Sequence, residues 1–254
     1  MSLPAIMNDK LINSLAAVGT IDEFKAWTRT ELRPVLPHGA LICGLGHLHA
    51  GGVSLDYLVT VDYPAEHIEA IRNRAGAIDT PILRRWLMTQ QPVIFDADAP
   101  WPETPKVWLD SFRHHRLQNV VAHASYDRTR CVGTYHSVYR IPTKPDQRYI
   151  ETLCALVPAM HEALCRVIEQ TRSNESLAMV VSAMTERERR VIHWLRLGKT
   201  NAQIAELVSQ SENTVKHHFT RIFGKLGVSN RAQLVRRLAE REAQPVPGTG
   251  TRLL

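Results

Sequence analysis

The stretch Thr185–Leu238 constrains this chain more than any other, because it marks where helices must begin. It reads T-E-R-E-R-R-V-I-H-W-L-R-L-G-K-T-N-A-Q-I-A-E-L-V-S-Q-S-E-N-T-V-K-H-H-F-T-R-I-F-G-K-L-G-V-S-N-R-A-Q-L-V-R-R-L. Thr185 precedes Glu188 by three residues, and Thr200 precedes Gln203 by three. Each pair is a capping box, in which both side chains satisfy backbone donors that a helix start leaves unpaired. Ser211 caps a third helix, which opens with Glu212 near the positive end of the helix dipole. Two short helices joined by a tight turn at Val208–Gln210 make a helix-turn-helix. On the third helix Val215, Phe219, Ile222 and Leu226 recur at helical spacing and predict one buried stripe. Lys216, His217, Thr220 and Lys225 fall off that stripe and face outward.

Charge singles out the same stretch. The chain carries a formal net charge of +6. From Ser182 onward there are thirteen Lys/Arg against six Asp/Glu, and the remainder holds eighteen against nineteen. A basic module beside a nearly neutral one predicts a polyanionic partner for the basic part alone.

The longer part before it reads as a mixed domain, and a 44% hydrophobic composition supports a sizeable core. Helices are predicted at 8–17 and 21–36, the second anchored by Phe24, Trp27, Leu32 and Leu36 and stopped by Pro37–Gly39. Strands at 40–49 and 53–61 flank a turn at 50–52. Helical patterns at 65–73 and 82–89 follow, then a strand at 92–95, a Pro-rich loop at 99–105 and a helix at 106–114. Strands at 119–125 and 131–141 surround a turn at 126–130. A helix from about 146 to 172 closes the domain, with Pro158 expected to kink it. This order predicts an α+β domain, an α-β-α sandwich on an antiparallel sheet, of the GAF/PAS small-molecule-sensing kind. It does not alternate as a phosphoacceptor receiver would. The expected organisation is a sensor or dimerisation domain at 1–172, a linker at 173–183, an all-α four-helix helix-turn-helix domain at 184–241 and a disordered tail at 242–254.

Several classes are disfavoured. There is no run of about 18 apolar residues, so no membrane span is expected. The N-terminus lacks the pattern of a signal peptide. The four cysteines, Cys43, Cys131, Cys154 and Cys165, form no C-x-x-C pair, and reduced thiols in a cytoplasm are the expectation. No G-x-S-x-G, H-E-x-x-H or phosphate loop appears, so no catalytic residue and no cofactor is assigned. His47 and His49 share a strand face, and His123 and His136 lie on other strands. Such scattered histidines are ordinarily surface or hydrogen-bonded core, and no metal is assigned.

The C-terminal stretch resembles the LuxR/FixJ/NarL-type helix-turn-helix of transcription regulators. The resemblance is carried by Thr185, Arg187, Glu188, Val191, Gly198, Asn201, Ile204, Ala205, Ser211, Thr214, Val215, Lys216, His218, Ile222, Lys225, Leu226, Arg231 and Leu234. Met184 replaces the family's first Leu and Gln203 its usual Glu. By this resemblance Lys216, His217 and Thr220 point at base edges, while Thr214, His218, Arg221, Lys225 and Arg231 are placed for phosphates. Glu188 reads as structural, closing its capping box, and Trp194 as core. Leu234, Val235 and Leu238 make an apolar patch on the last helix, through which related proteins dimerise; packing within the domain is the alternative.

Residues 62–82 resemble a segment of acyl-homoserine-lactone-binding regulators. Tyr63, Pro64 and Asp79 match, but His67 stands at the family's Trp, Ile71 at its Tyr, and Thr80 separates Asp79 from Pro81. The fold is implied while the lactone is not. Residues 156–168 resemble the closing helix of orphan LuxR-type regulators, including those of exopolysaccharide loci (EpsA-type). Leu153, Leu156, Val157, Met160, Leu164, Val167 and Ile168 form its stripe, read as core or as a dimer seam, the seam being preferred. Gly44 and Gly46 share one strand face, leaving room for a packed helix or for a ligand. Candidate ligand-binding residues for an unidentified small-molecule effector are Tyr57, Asp79, Trp86, His123 and Tyr135, with Tyr139 as a further pocket wall.

The leading expectation is a homodimeric DNA-binding regulator that meets a two-fold operator. An enzyme-like or metal-binding N-terminal domain with DNA binding secondary is the alternative, and a scaffold acting only by dimerisation is a third.

Overall fold

Strand alternation builds the N-terminal unit, because successive residues of each strand serve opposite faces of one sheet. The computed structural model describes residues 3–49, 52–72, 78–127, 129, 132–239 and 252–253. Helix α1 (Leu3–Ala16) leads to α2 (Ile21–Trp27), which passes through a π turn (Thr28–Leu32) into α3 (Arg33–Val35). Strands β1 (Ala40–His49) and β2 (Gly52–Val61) follow, then α4 (Ala65–Ala70), α5 (Pro81–Thr89), β3 (Val93–Asp96) and α6 (Lys106–His114). Strands β4 (Asn119–Asp127) and β5 (Val132–Tyr139) precede the long α7 (Gln147–Ser182). The strand order β3-β4-β5-β1-β2 is antiparallel throughout.

Each sheet face has its own core. Leu41, Cys43 and Leu45 of β1, with Val59, Val61, Val121 and Val138, pack with the apolar faces of α1, α2 and α7. Ala40 and Ile42, one residue out of phase, join Phe95, Val120, Tyr135 and Tyr139 against α4, α5 and α6. The result is the expected α-β-α sandwich. All seven residues of the α7 stripe, from Leu153 to Ile168, are at most 1% exposed in the first core. The preferred dimer-seam reading of that stripe is therefore corrected: these side chains are consumed in covering the sheet.

A β-bulge breaks the parity of β2. Leu45 pairs with Tyr57 but Gly46 pairs with Leu55, leaving Asp56 as the extra residue. Leu55 and Leu58 thereby share the second face, while Tyr57 packs with the first. A Cβ on Gly44 would lie 3.1 Å from both Leu55 methyls and 3.3 Å from Leu58. The space left by that glycine is filled by leucines of the neighbouring strand, neither by a helix nor by a ligand.

The chain divides into two compact units, Met1–Glu169 with Thr249–Leu254 and Gln170–Gly248. The second unit holds α8 (Glu186–Arg196), α9 (Asn201–Leu207), α10 (Glu212–Leu226) and α11 (Arg231–Ala239) around a core of Val191, Leu195, Ile204, Val215, Phe219, Ile222, Leu234 and Leu238, among others. Two boundaries differ from expectation. Helix α7 runs on to Ser182, so most of the expected linker is helical; no Pro or Gly interrupts the sequence between Arg172 and Ser182. Within the expected disordered tail, Arg252–Leu253 form a short strand, β6, parallel to β2. Residues 242–251 and 254 of that tail lie outside the described residues, as do Ala50 and Gly51 of the first turn and Cys131.

Candidate nucleic-acid interface

The three helix starts anticipated in the sequence are formed as such. The Thr185 amide donates to Glu188 Oε2 at 2.8 Å, and the Glu188 amide donates to Thr185 Oγ1 at 3.3 Å. Thr200 and Gln203 make the same reciprocal pair at 3.0 and 3.3 Å. Ser211 Oγ accepts the Thr214 amide at 3.1 Å. The turn between α9 and α10 places Ser209 at φ 54°, and α10 ends on Gly227 at φ 64°, a left-handed stop that glycine adopts without strain. These devices fix both ends of α10 before any partner arrives.

The two sides of α10 are sharply different. Val215 and Ile222 are fully buried and Phe219 nearly so, with Leu226 partly buried beside them. Lys216, His217, Thr220 and Arg221 are exposed, and residues three and four apart share a helix face. Thr214 and His218 are half-buried at its margins. Lys216 Nζ lies 3.2 Å from Glu212 Oε1 in an exposed i, i+4 pair, an attachment too weak to hold the ammonium against a phosphate or base. Asn213, exposed in the first turn, belongs to the same face and was missed in the sequence; its spacing of four from His217 was the available signal.

Lys225 and Arg231 have other work. Lys225 Nζ sits 2.7 Å from Glu188 Oε2, and that carboxylate is only 3% exposed. Burial alone would raise the Glu188 pKa, but hydrogen bonds from Lys225 and from the Thr185 amide and hydroxyl outweigh it and hold the carboxyl below its usual range. The capping residue of α8 is thus also the anchor of α10, through Lys225. Arg231 donates to the Lys199 carbonyl and to Asn201 Oδ1 at 3.3 Å, and its guanidinium lies 5.7 Å from the Phe219 ring centre. It ties α11 to the start of α9 and to the back of α10. In α11, Leu234 and Leu238 are buried within the unit and Val235 is 41% exposed, so the apolar patch is mostly internal packing.

In the N-terminal unit the candidate ligand residues divide. Trp86 Nε1 donates to His123 Nδ1 at 3.2 Å, and Trp86 and Tyr135 border a small cavity of about 30 Å³ together with Gly46, Leu55, Leu83 and Ala124. Tyr57 packs on the opposite sheet face, for the reason the bulge supplies. Asp79 is held in a two-pronged pair by Arg84 Nε and Nη2, which keeps its carboxyl below the usual range. Tyr139, the further wall, lies edge-on to Tyr63 at 4.9 Å. His67 is buried among Tyr63, Phe112 and His115, with Nδ1 2.9 Å from Ser111 Oγ. Burial, and then the neighbouring His115, lowers its pKa to about 4.

The strand histidines are also engaged. His47 Nδ1 lies 2.6 Å from Asp56 Oδ2. His136 is fully buried, 3.1 Å from Cys43 Sγ and 2.9 Å from Thr134 Oγ1, which is in turn 2.9 Å from His161 Nδ1. The His49 side chain lies outside those described. Among the described residues no group of three or more His, Cys, Asp or Glu is placed to hold a metal ion, and no helix is long and apolar enough to cross a membrane.

Comparison with known proteins agrees with this division. Residues 182–238 match the family described as bacterial regulatory proteins, luxR family, and are a luxR-family helix-turn-helix domain. SdiA of Escherichia coli is similar at 20% identity over 92% of this chain and 96% of that one, with a TM-score of 0.50. CepR2 of Burkholderia cenocepacia, described as an N-acylhomoserine lactone dependent LuxR family transcription factor, is similar at 16% identity. That match covers 66% of this chain and 99% of CepR2, with a TM-score of 0.52. At these identities the likeness is one of fold. No curated protein sequence matches the chain.

Proposed function

We propose that this chain, with its luxR-family helix-turn-helix domain, is a cytoplasmic transcription regulator that binds a two-fold DNA operator as a homodimer, without enzymatic activity. The observation that carries the reading is α10: a helix capped at both ends and buried along one stripe, with Lys216, His217, Thr220 and Arg221 exposed on the other side. In a major groove, Lys216, His217 and Thr220 read base edges, while Thr214, His218 and Arg221 neutralise or hydrogen-bond phosphates. The exposed Asn213 extends the base-reading face by one turn. Lys225 and Arg231 act on DNA at second hand, by holding α10 in place. The N-terminal sandwich supports a role in sensing a small-molecule effector or in dimerisation. Of the original set, Trp86 and Tyr135 border one cavity where an effector would be met, and Trp86 holds His123 by a hydrogen bond.

The test is operator binding by Lys216→Ala and His217→Ala across base-substituted sites. Each good base contact is worth about 1–3 kcal/mol of discrimination, so each variant should relax the preference at one position. A uniform loss at every sequence would assign these residues to the phosphates instead. Equal binding by a chain lacking residues 182–254 would sink the whole reading.

A further inference from the structure

Helix α5 separates two openings of different size and character. Its inner side, with Leu83 and Trp86, borders the cavity of about 30 Å³, which has room for water rather than for an organic molecule. Its outer side carries Arg84, Arg85 and Met88, which with Trp101 and Pro105 border a cleft of about 410 Å³. Met88 lies four residues from Arg84 and three from Arg85, so the three stand on one side of the helix. A cleft of this volume falls within the range of small-ligand sites, about 300–1,000 Å³.

The wall opposite α5 is a tight turn. The Thr104 amide donates to the Trp101 carbonyl at 3.0 Å, and the turn so closed brings Trp101 and Glu103 to the cleft. The Trp101 ring is set edge-on to the buried Phe95 at 5.1 Å. Arg85 lies over that ring, its Cζ 4.2 Å from the centre, and its Nη1 meets Glu103 Oε1 at 3.1 Å. The ring steadies the guanidinium plane and leaves its donors around the edge. The contact with Glu103 is one nitrogen against one oxygen, where a guanidinium and a carboxylate can form two parallel bonds. Glu103 is 69% exposed and Arg85 42%, so the pair is largely hydrated and weakly held. Met88, 78% exposed, carries the cleft wall on with apolar surface, and Pro81 and Pro105 add to it.

We propose that this cleft is a second binding site, separate from the cavity at Trp86 and Tyr135, for a small apolar carboxylate, and that Glu103 holds its anion position until such a ligand arrives. The ligand's carboxylate takes two donors of Arg85 and releases Glu103 to water. Its apolar body lies along Met88, Pro81 and Pro105, covering side chains that solvent now meets. Arg84 does not compete for the anion, because its Nε and Nη2 already hold Asp79. A carboxylate without an apolar body gains nothing over Glu103, and an alcohol of the same shape leaves Arg85 with its present partner. Neither consequence depends on DNA binding.

The experiment is isothermal titration calorimetry of the full chain with hydrocinnamate, with hydrocinnamyl alcohol as the uncharged comparison and acetate as the one lacking an apolar body. Hydrocinnamate should bind saturably, and the other two about ten-fold more weakly or less, the usual worth of a charge-assisted hydrogen bond. Arg85→Lys keeps the charge but loses the planar fork, and should weaken binding about ten-fold. Glu103→Gln removes the competitor and should tighten binding about three-fold, a gain that a merely structural glutamate would not give. Both side chains are exposed, so neither substitution disturbs a core. Absence of hydrocinnamate binding, or equal binding of the alcohol or of acetate, would overturn the proposal. An affinity unchanged or lowered by Glu103→Gln would do the same. Binding lost in Trp86→Phe and kept in Arg85→Lys would assign the ligand to the inner cavity and overturn the outer site.

Discussion

The helix-turn-helix unit and the N-terminal sandwich are stabilised by interactions at different distances along the chain. In the first, the decisive contacts are short in sequence: Thr185 with Glu188, Thr200 with Gln203, Ser211 with Thr214. In the second they are long: Arg166 donates to the carbonyls of Leu15 and Val18, and His136 reaches Cys43. Local contacts leave a signature in the residues themselves. Long ones exist only once the sheet has formed, and they bury groups whose ionisation then depends on the fold. The two units should therefore fail in different ways.

The largest expected difference is acid sensitivity. His136 is lowered to about 3 by burial first, then by His161 and His123 nearby, and His67 to about 4. His38 and His123 are lowered as well, mainly by burial. Well above pH 6.5 these imidazoles are neutral whether the chain is folded or not, and they give no pH dependence. As pH falls below 6.5 the unfolded chain takes up protons that the folded one refuses, so stability is lost steadily down to the folded values. By pH 4 His136 and His67 should each cost about 3 kcal/mol, comparable together with the whole stability of many domains. In the helical unit the displaced buried group is Glu188, whose pKa is held below the usual carboxylate range by Lys225 and the Thr185 donors, so it stays charged further into acid than an ordinary glutamate. Hydrogen exchange from pH 7 to 4 should show the sandwich opening first. Simultaneous opening of both units would break the comparison.

The next effect tests Lys225, where sequence and structure assign different roles. Lys225→Met leaves a buried carboxylate with only the Thr185 donors. Breaking a buried pair costs about 3–5 kcal/mol, which the 38% exposure of the lysine side chain reduces to about 2–3 kcal/mol. Adding Glu188→Gln should recover part of the loss, a coupling that chemical denaturation of the two single variants and the double variant would measure. Were Lys225 a phosphate contact, stability would hold and the salt slope of DNA binding would fall by about one.

How far the sequence could be read follows the same divide. Element order was legible nearly throughout, since β1, β2, α6 and the four C-terminal helices follow from periodicity, caps and breakers. Tyr57 falls on the other sheet face from Trp86 and Tyr135 because one extra residue, Asp56, reverses strand parity, and nothing in V-S-L-D-Y-L-V-T-V marks a bulge. Lys225 and Arg231 look like any basic surface residues until Glu188 and the Lys199 carbonyl are brought beside them. The α7 stripe would read identically as core or as seam, because periodicity gives the direction of a face and not what covers it. Strand β6 was missed for a related reason: R-L-L has no pattern of its own, and its partner lies almost two hundred residues earlier.

The smallest effect sharpens the contrast most directly, because the sandwich also contains a cap. Thr80 Oγ1 accepts the Leu83 amide at 3.1 Å at the start of α5, just as Thr200 serves α9. Removing either hydroxyl by Thr→Ala should cost about 1 kcal/mol, the usual worth of an N-cap. The consequences should differ. Helix α5 is also pinned by Ile82, Leu83 and Trp86, each at most 6% exposed in the second core. Helix α9 is seven residues long and buries only Ile204 and Ala205. Thr200→Ala should therefore raise exchange along the whole of α9, and Thr80→Ala only in the first turn of α5. If the loss spreads equally along both helices, local capping governs the two units alike, and the distinction between local and long-range control fails at its most direct point of comparison.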